Sequence, residues 1–250
     1  MFDATVFTGR WPFRKLGRPL IAHLLEDHHK NGIVGGVISN LESIFYNDPM
    51  EGCEKLADVL PAGYRLAISH NPFLPFAVKD VMKNELKAAA VRLFPVYHHY
   101  NPKDEHVVEF CRAAAEYGLI IYIIARMDDL RFDYLYRQMK PEFEDVIKLA
   151  QAVPKGKFII SGYNGTEIMQ MAKEISACPN VYVDCAYMCV PCFAYRNVVP
   201  LLPRGRLLFA THYPLQLIES NTITIHLSDI SQEDKECIMY KNAYKLFGLF

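Results

Sequence analysis

Short apolar runs rich in β-branched and aromatic residues alternate along the whole chain with longer segments of helical periodicity. The apolar runs predict eight strands, at residues 2–8, 33–39, 64–69, 90–95, 119–125, 157–161, 180–185 and 206–211. The periodic segments predict helices at residues 19–30, 49–60, 76–86, 104–117, 141–152, 166–177 and 231–247. Because parallel neighbouring strands need a crossover between them, this alternation predicts a parallel sheet covered by helices.

Eight strand–helix units in 250 residues match the size of a (β/α)8 TIM barrel, in which active-site groups follow the carboxyl ends of the strands. A doubly wound open sheet is the alternative, but the chain has no Gly-x-Gly-x-x-Gly or P-loop pattern that would bind a nucleotide. No linker, charge run or low-complexity stretch divides the chain. We therefore expect an α/β fold with a single barrel domain over residues 1–250.

The charge balance narrows the classes of partner. The chain has 27 Lys and Arg against 28 Asp and Glu, so it has no basic field that would attract nucleic acid or an anionic membrane. No apolar run approaches the ~20 residues of a membrane span, and the first residues lack the features of a secretion signal. We expect a cytoplasmic protein with reduced thiols and a small-molecule substrate. The low net charge is compatible with a homo-oligomer.

The strand ends supply the candidate chemistry, because a barrel brings them to one mouth. They are rich in Arg, His and Tyr, and the candidates are Trp11, Asn40, His70, Arg92, Tyr97, His98, Arg126, Asp184 and His212. Arg92 and Arg126 suit a carboxylate through bidentate hydrogen bonds. The alternative for either arginine is a structural ion pair with Asp129 or Asp184.

Four segments carry a resemblance to a known family: residues 2–13 (FDATVFTGRWPF), 91–95 (VRLFP), 206–214 (RLLFATHYP) and 242–248 (NAYKLFG). In their order and spacing they resemble the amidohydrolase-related family from end to end. The resemblance implies a barrel of the metal-dependent hydrolase type. It also implies hydrolysis or, in some branches, decarboxylation of aromatic acids, usually with one divalent metal.

The family's metal ligands are replaced in this chain. The His-x-His of the first strand falls on Thr5 and Phe7, and the aspartate after the last strand falls on His212. The later histidines fall near Ile124 and near Gly162 or Tyr163. A catalytic zinc needs about three protein ligands. We therefore expect no metal, no family-type zinc and no other cofactor.

His212 is the strongest catalytic candidate, because it takes the position of the family's aspartate and imidazole titrates near neutrality. Asp184 is expected to orient an imidazole or an arginine, and Arg126 to act with them. Arg92, His70, Tyr97, His98, Asn40 and Trp11 are assigned to substrate binding. Structural alternatives remain for several of them: His212 under the following loop, His70 as a cap before Pro72, and Trp11 as a cover of the mouth. His28 and His29 are expected to face water.

Three cysteines follow the seventh strand, at Cys185, Cys189 and Cys192. Their spacing is that of radical S-adenosylmethionine enzymes, but in those enzymes the triad follows the first strand. A reactive dithiol and plain buried cysteines are the other interpretations. The sequence leaves their role open.

These observations favour a metal-independent hydrolase, with lyase (decarboxylase) activity also open, acting on a small carboxylate-bearing substrate. Two alternatives remain: an inactive barrel that binds a ligand or partner protein, and a metal-dependent hydrolase with a rebuilt metal site. The substrate itself cannot be identified from the sequence.

Overall fold

A computed structural model describes residues 1–128, 140–189 and 194–249 of the chain. It contains eight parallel strands, each paired with the next along the sequence. They are β1 (Phe2–Thr8), β2 (Gly35–Asn40), β3 (Tyr64–His70), β4 (Ala90–Leu93), β5 (Ile120–Ile124), β6 (Phe158–Ser161), β7 (Val181–Asp184) and β8 (Leu207–Leu208).

The first strand and the segment after the last strand close this sheet into a barrel. Phe209 O accepts a hydrogen bond from Ala4 N at 2.8 Å, and Thr5 O accepts one from His212 N at 2.9 Å. Phe7 N donates to Tyr213 O at 2.8 Å. The predicted (β/α)8 barrel is confirmed, although β8 has only two paired residues and the closing bonds continue beyond it.

Helices connect the strands on the outside of the barrel. They are α1 (Ile21–Lys30), α2 (Met50–Ala57), α3 (Ala77–Lys83), α4 (Pro95–His98), α5 (Glu105–Glu116), α6 (Phe143–Ala152), α7 (Gly165–Ala177), α8 (Ala194–Val198), α9 (Ile218–Leu227), α10 (Gln232–Glu236) and α11 (Asn242–Phe247). Short 3₁₀ turns lie at Glu42–Phe45 and Val199–Leu201, and a π-helical turn at Cys237–Lys241 joins α10 to α11. None of the helices in the described ranges is long and apolar enough to cross a membrane.

The helix α9 has no counterpart among the predicted elements. Its sequence, IESNTITIHL, is rich in β-branched residues and has no apolar stripe at helical spacing. Ile218 and Ile225 pack inward, while Ile223 and Leu227 are exposed. The apolar residues therefore surround the helix, which hides the period by which the other helices are recognised.

Two apolar layers result from the alternation of side chains along the strands. Side chains from successive strands fill the interior, among them Ala4, Val37, Ala67, Ala90, Tyr122, Ile159 and Leu208. Residues next to these along the strands, such as Ile38, Leu66 and Val91, pack against the helices, as does Val6, which follows the register shift in β1. This arrangement leaves the last residue of each strand and the first residues of the following loop to form the mouth.

Candidate active site

Three polar side chains from neighbouring strand ends form a buried hydrogen-bonded chain. Ser161 ends β6, Asp184 ends β7, and His212 lies four residues after β8. The Oγ atom of Ser161 is 2.6 Å from Nε2 of His212, and the same hydroxyl lies close enough to Asp184 to lower the pKa of its carboxyl group. Thr5 Oγ1 donates to Asp184 Oδ2 at 2.6 Å from β1. All four side chains are fully buried.

Counting hydrogens assigns the direction of each bond. When Asp184 is ionised its carboxylate only accepts, so the single hydroxyl hydrogen of Ser161 then points to Asp184. Ser161 Oγ must then accept from Nε2–H of His212, which leaves the lone pair of the imidazole on Nδ1. This Nδ1 atom is buried and has no hydrogen-bond partner among the described residues.

Asp184 and His212 are the two titratable groups of the hydrogen-bonded chain. Their pKa values are shifted so far that the carboxyl group has the higher pKa and the imidazole the lower one. Burial raises the pKa of Asp184 to about 6, although hydrogen bonds from Ser161 and Thr5 partly offset it. Burial, with the nearby charges of Arg92 and Arg126, lowers the pKa of His212 to about 3. At neutral pH the imidazole is therefore uncharged, and the carboxyl group is the one that titrates close to neutrality.

Arg92 lies inside the barrel and is fully buried. Its Nη1 donates to Val6 O at 2.8 Å and to Ser39 Oγ at 2.6 Å, and Nη2 donates to Val37 O at 2.8 Å and to Ala4 O at 3.4 Å. The guanidinium also lies over the Phe7 and Tyr122 rings, 4.6 and 4.9 Å from their centroids. Both Nη atoms of Arg92 therefore donate to groups of the protein itself, although Arg92 is predicted from the sequence to bind a substrate.

Arg126 follows β5 and is almost completely buried. Its Nη2 donates to Glu167 Oε1 at 3.0 Å, and its guanidinium lies 5.4 Å from the Tyr187 ring centroid. Lys140 also bonds Glu167. Although burial opposes the effect, hydrogen bonds from Lys140 and Asn164 lower the pKa of Glu167, so it is an anion at neutral pH. Arg126, Lys140 and Glu167 together carry one excess positive charge.

The backbone of Arg126 lies against the end of β6, and a glycine makes this close approach possible. Gly162 follows Ser161 and has φ +92°, and a Cβ atom there would lie 2.7 Å from Arg126 N. A side chain at residue 162 would push apart the two segments that carry Ser161 and Arg126.

Trp11, Phe13, Phe45 and Tyr97 form an aromatic cluster, with ring centroids 5.4–6.0 Å apart. Trp11 is buried and donates from Nε1 to Asp128 Oδ2 at 2.6 Å. Phe45 is 41% exposed. Of the predicted site residues, the structure thus brings together His212, Asp184, Arg92 and Arg126 as one group and Trp11 and Tyr97 as a second.

Three other predicted site residues are held by local contacts. His70 points out of the barrel, with Nε2 3.0 Å from Asp80 Oδ2 on α3. His98 Nε2 donates to Ile44 O at 2.7 Å. Asn40 Oδ1 accepts from Ser43 N at 3.0 Å.

The structure corrects the expectation for His28, which is fully buried beneath the barrel wall and does not face water. Its Nδ1 lies 2.9 Å from Tyr64 Oη and its Nε2 3.3 Å from Asp3 Oδ2. Its neighbour His29 is exposed, as expected. His28 lies four residues after the fully buried Leu24, so the helical period places both side chains on the face of α1 that packs against the barrel.

The cysteine pattern is only partly described. Cys185 is buried, and its Sγ accepts from Ala210 N at 3.3 Å. Burial raises the pKa of the Cys185 thiol, so it stays protonated. Cys192, like Asp129 and Arg131, lies outside the described residues.

A sequence model of the amidohydrolases matches residues 62–249. The chain belongs to the amidohydrolase family. A search of curated protein sequences gives no match to this amidohydrolase.

Solved structures of the same fold are distant in sequence. 5-Carboxyvanillate decarboxylase from Novosphingobium aromaticivorans, in complex with manganese and 4-hydroxy-3-methoxy-5-nitrobenzoic acid, has a TM-score of 0.71 and 15% identity, over 92% of this chain and 81% of that chain. Dihydroxybenzoic acid decarboxylase from a Polaromonas species, with manganese and 2-nitroresorcinol, has a TM-score of 0.72 and 13% identity, over 99% and 97% of the two chains. Amidohydrolase 2 from Bifidobacterium longum subsp. infantis has a TM-score of 0.66 and 16% identity, over 100% and 98%. These likenesses support the fold.

The donor set of this amidohydrolase does not fit a divalent metal of the family type. Within residues 1–128, 140–189 and 194–249, no three His, Cys, Asp or Glu side chains lie together as a metal site requires. Thr5 and Phe7 occupy the positions that the resemblance assigns to two imidazoles, and the fully buried Arg92 cation lies against the Phe7 ring. A second cation beside this guanidinium would be repelled.

Proposed function

We propose that this amidohydrolase catalyses proton transfer on a small carboxylate-bearing substrate without a divalent metal, in a hydrolysis or a decarboxylation. The observation that carries this proposal is the chain from His212 through Ser161 to Asp184, with a neutral imidazole at one end and a carboxyl group of pKa about 6 at the other. Titratable groups whose environments displace their pKa values in opposite directions are typical of acid–base sites.

In hydrolysis the chain removes a proton from water. The lone pair on His212 Nδ1 takes the proton, Nε2–H passes its proton to Ser161 Oγ, and the Ser161 hydroxyl passes its proton to Asp184. The imidazole changes tautomer and stays neutral throughout, which suits its low pKa. The water oxygen bonds to the acyl carbon, and the leaving group departs with the proton returned along the same chain.

In decarboxylation the same chain runs in reverse from a protonated Asp184. The proton reaches the substrate carbon from His212 Nδ1, the bond between that carbon and the carboxylate breaks, and carbon dioxide leaves. With a pKa of about 6, Asp184 is both protonated and ionised in appreciable amounts near neutral pH, so either direction is accessible.

Arg126 is the group suited to hold the substrate carboxylate. Its Nε–H has no partner in the part of the chain that the structure describes, and its cluster with Lys140 and Glu167 carries an excess positive charge. The aromatic cluster of Trp11, Phe13, Phe45 and Tyr97 favours a substrate with a ring. The decarboxylases of similar fold are named for aromatic acids, which supports decarboxylation as the first reaction to assay.

The test combines metal analysis with turnover. The protein is purified without chelators, its zinc and manganese are measured, and a panel of aromatic and aliphatic carboxylates, esters and lactones is assayed for carbon dioxide release and for hydrolysis. We expect turnover that survives chelator treatment and that falls by about 10²–10⁴-fold in Asp184→Asn. The matched control is Asp145→Asn, a carboxylate on α6 that bonds Asn101 and Lys103 away from the site. Stoichiometric metal whose removal abolishes turnover would overturn the proposal.

A second candidate function is ligand binding without catalysis, and the complete burial of Ser161, Asp184 and His212 favours it. It predicts thermal stabilisation by small carboxylates without any turnover. It also predicts that Asp184→Asn leaves ligand affinity unchanged, since that residue would then serve only the fold.

A further inference from the structure

The backbone of His212 adopts a left-handed conformation, with φ +54°. A residue with a Cβ atom pays for this conformation with steric strain, which persists only where the surrounding structure enforces it. Here the residue is fully buried and carries the imidazole of the proposed proton chain. Its setting must therefore contain groups that hold it in place.

Backbone hydrogen bonds account for part of this constraint. His212 N donates to Thr5 O at 2.9 Å, and Leu215 N donates to His212 O at 2.9 Å. Thr211 Oγ1 accepts from Tyr213 N at 3.1 Å and so spans the residue from one side to the other. The side chain of Thr211 is thus the closest side-chain constraint on the turn.

Thr211 is in turn fixed by Asp3, on the outer side of β1. Asp3 Oδ1 accepts from Thr211 N at 3.1 Å, and Oδ2 accepts from Thr211 Oγ1 at 2.5 Å. Oδ1 also accepts from Thr5 N at 3.1 Å. His28 Nε2 on α1 lies 3.3 Å from Oδ2. Asp3, Thr5 and Thr211 lie in the closing seam between β1 and the segment after β8, whereas His28 reaches Asp3 from α1.

Asp3 holds Thr5 and Thr211, and both are linked to the proposed proton chain. Thr5 donates from Oγ1 to Asp184, and Thr211 precedes His212. The pairing of β1 with β2 shifts register between Asp3 and Val6, which is what lets the Asp3 carboxylate turn back to the Thr5 amide. One buried carboxylate therefore sets the backbone at both ends of the chain from Thr5 through Asp184 and Ser161 to His212.

We propose that Asp3 is a positioning residue: through Thr211 it holds His212 in its left-handed conformation, with Nε2 on Ser161, and through the Thr5 amide it holds Thr5 on Asp184. The inference rests on the proposed function for its catalytic meaning, but its structural content can be measured without turnover. Asp3 itself does not touch the reacting atoms.

The deciding experiment is histidine ¹⁵N NMR of the full chain, which reports the tautomer and hydrogen bonding of His212 directly. Thr211→Val keeps the shape of the side chain and removes its hydroxyl, whereas Thr211→Ser keeps the hydroxyl. We expect the His212 Nδ1 and Nε2 resonances to leave their wild-type positions in Thr211→Val and in Asp3→Asn, and to return toward them in Thr211→Ser. The matched control is Thr222→Val, a buried threonine on α9 that bonds Asn31 and Glu219, and it should leave these resonances unchanged.

Folded Thr211→Val with His212 resonances at their wild-type positions would overturn the inference. If Asp3→Asn does not fold, the two Thr211 variants decide the question alone. Where a substrate is in hand, Thr211→Val should lower kcat by about 10²-fold with little change in KM, because the base is misplaced and the carboxylate site is not. Displaced resonances without any catalysed reaction in the wild type would refute the proposed function and leave the positioning role intact.

Discussion

Ser161 Oγ lies 2.6 Å from His212 Nε2, and the same hydroxyl acts on the Asp184 carboxyl group, whose pKa it lowers. In a serine hydrolase the carboxylate instead holds the other imidazole nitrogen, where it stabilises the imidazolium that forms during attack. Here the carboxylate lies on the serine side of the imidazole. Because the pKa of His212 is lowered to about 3, an imidazolium at this position is unfavourable. The arrangement suits Ser161 as a proton carrier between two groups and not as a nucleophile.

Ser161→Ala is expected to interrupt the proton chain while leaving the substrate in place. We expect kcat to fall by about 10²–10⁴-fold with KM nearly constant, as measured by steady-state kinetics. The matched control is Ser69→Ala, another buried serine at a strand end, whose Oγ contacts Asn40 O at 3.4 Å. A covalent substrate adduct on Ser161, detected by mass spectrometry of the wild type, would instead identify a nucleophile.

His212 should make the protein sensitive to acid. Its pKa is lowered from 6.5 to about 3 by burial, so it binds a proton more readily in the unfolded chain. Its contribution to stability is present above pH 6.5 and is lost as the pH falls toward 3. Asp184 has the opposite effect, because its raised pKa gives stability below pH 3.8 that is lost as the pH rises toward 6.

Denaturant unfolding at several pH values distinguishes the stability contribution of His212 from that of Asp184, because the two change with pH in opposite directions. We expect the difference in unfolding free energy between the wild type and His212→Asn to shrink between pH 6.5 and pH 4, by at most about 1.4 kcal/mol per pH unit. A difference that stays constant over this range would show that His212 keeps an ordinary pKa.

Arg126→Gln tests the carboxylate site. Removing the cation should raise KM for a carboxylate substrate by about 10-fold or more, because charge-assisted hydrogen bonds contribute about 1.5–3 kcal/mol. Arg204→Gln serves as control, since Arg204 is 53% exposed and pairs with Glu233 and Asp234. If KM for a carboxylate and for its neutral amide change equally, Arg126 does not bind the carboxylate.

Arg92→Met tests the buried cation. The variant leaves the acceptors Val6 O, Val37 O and Ser39 Oγ without their donor, so we expect a loss of at least about 3 kcal/mol of stability, measured by denaturant unfolding. The half-buried Arg206, which bonds Cys178 O and Val181 O, gives the matched control Arg206→Met with a smaller loss. Removing the positive charge should also raise the pKa of both Asp184 and His212. An unchanged stability would mean that water replaces the guanidinium.

The fold could be predicted from the sequence because the strands are short apolar runs and most helices have a clear hydrophobic period. The predicted bounds of β1 are those observed, and most other elements end within a few residues of the predicted positions. The helix α9 could not be predicted, because a helix with apolar residues on all sides has no hydrophobic period to detect. The carboxyl ends of the strands, and with them Asp184 and His212, followed directly from the barrel.

The site itself could be predicted only in part, because a strand end does not reveal the direction of its side chain. His70 ends β3, but its side chain points outward to Asp80 on α3. The residue before it, Ser69, lies opposite Arg92 in the register of β3 and β4. Nothing in the sequence distinguishes Ser161 from Ser39 or Ser69; its role depends on its distance from His212 in the closed barrel. Asp3 and His28 were equally hidden, since their contact joins β1 to α1 through the barrel wall.

The most direct test of this account is a pH titration of the metal-free protein by NMR, with ¹³C-labelled aspartate and ¹⁵N-labelled histidine and with Asp184→Asn and His212→Asn to assign the signals. The account predicts that the Asp184 carboxyl group titrates near pH 6 while the His212 ring stays uncharged from pH 8 to pH 4, with its proton on Nε2 above pH 6, where Asp184 is ionised. An imidazole that becomes charged near pH 6.5 beside a permanently ionised Asp184 would contradict it.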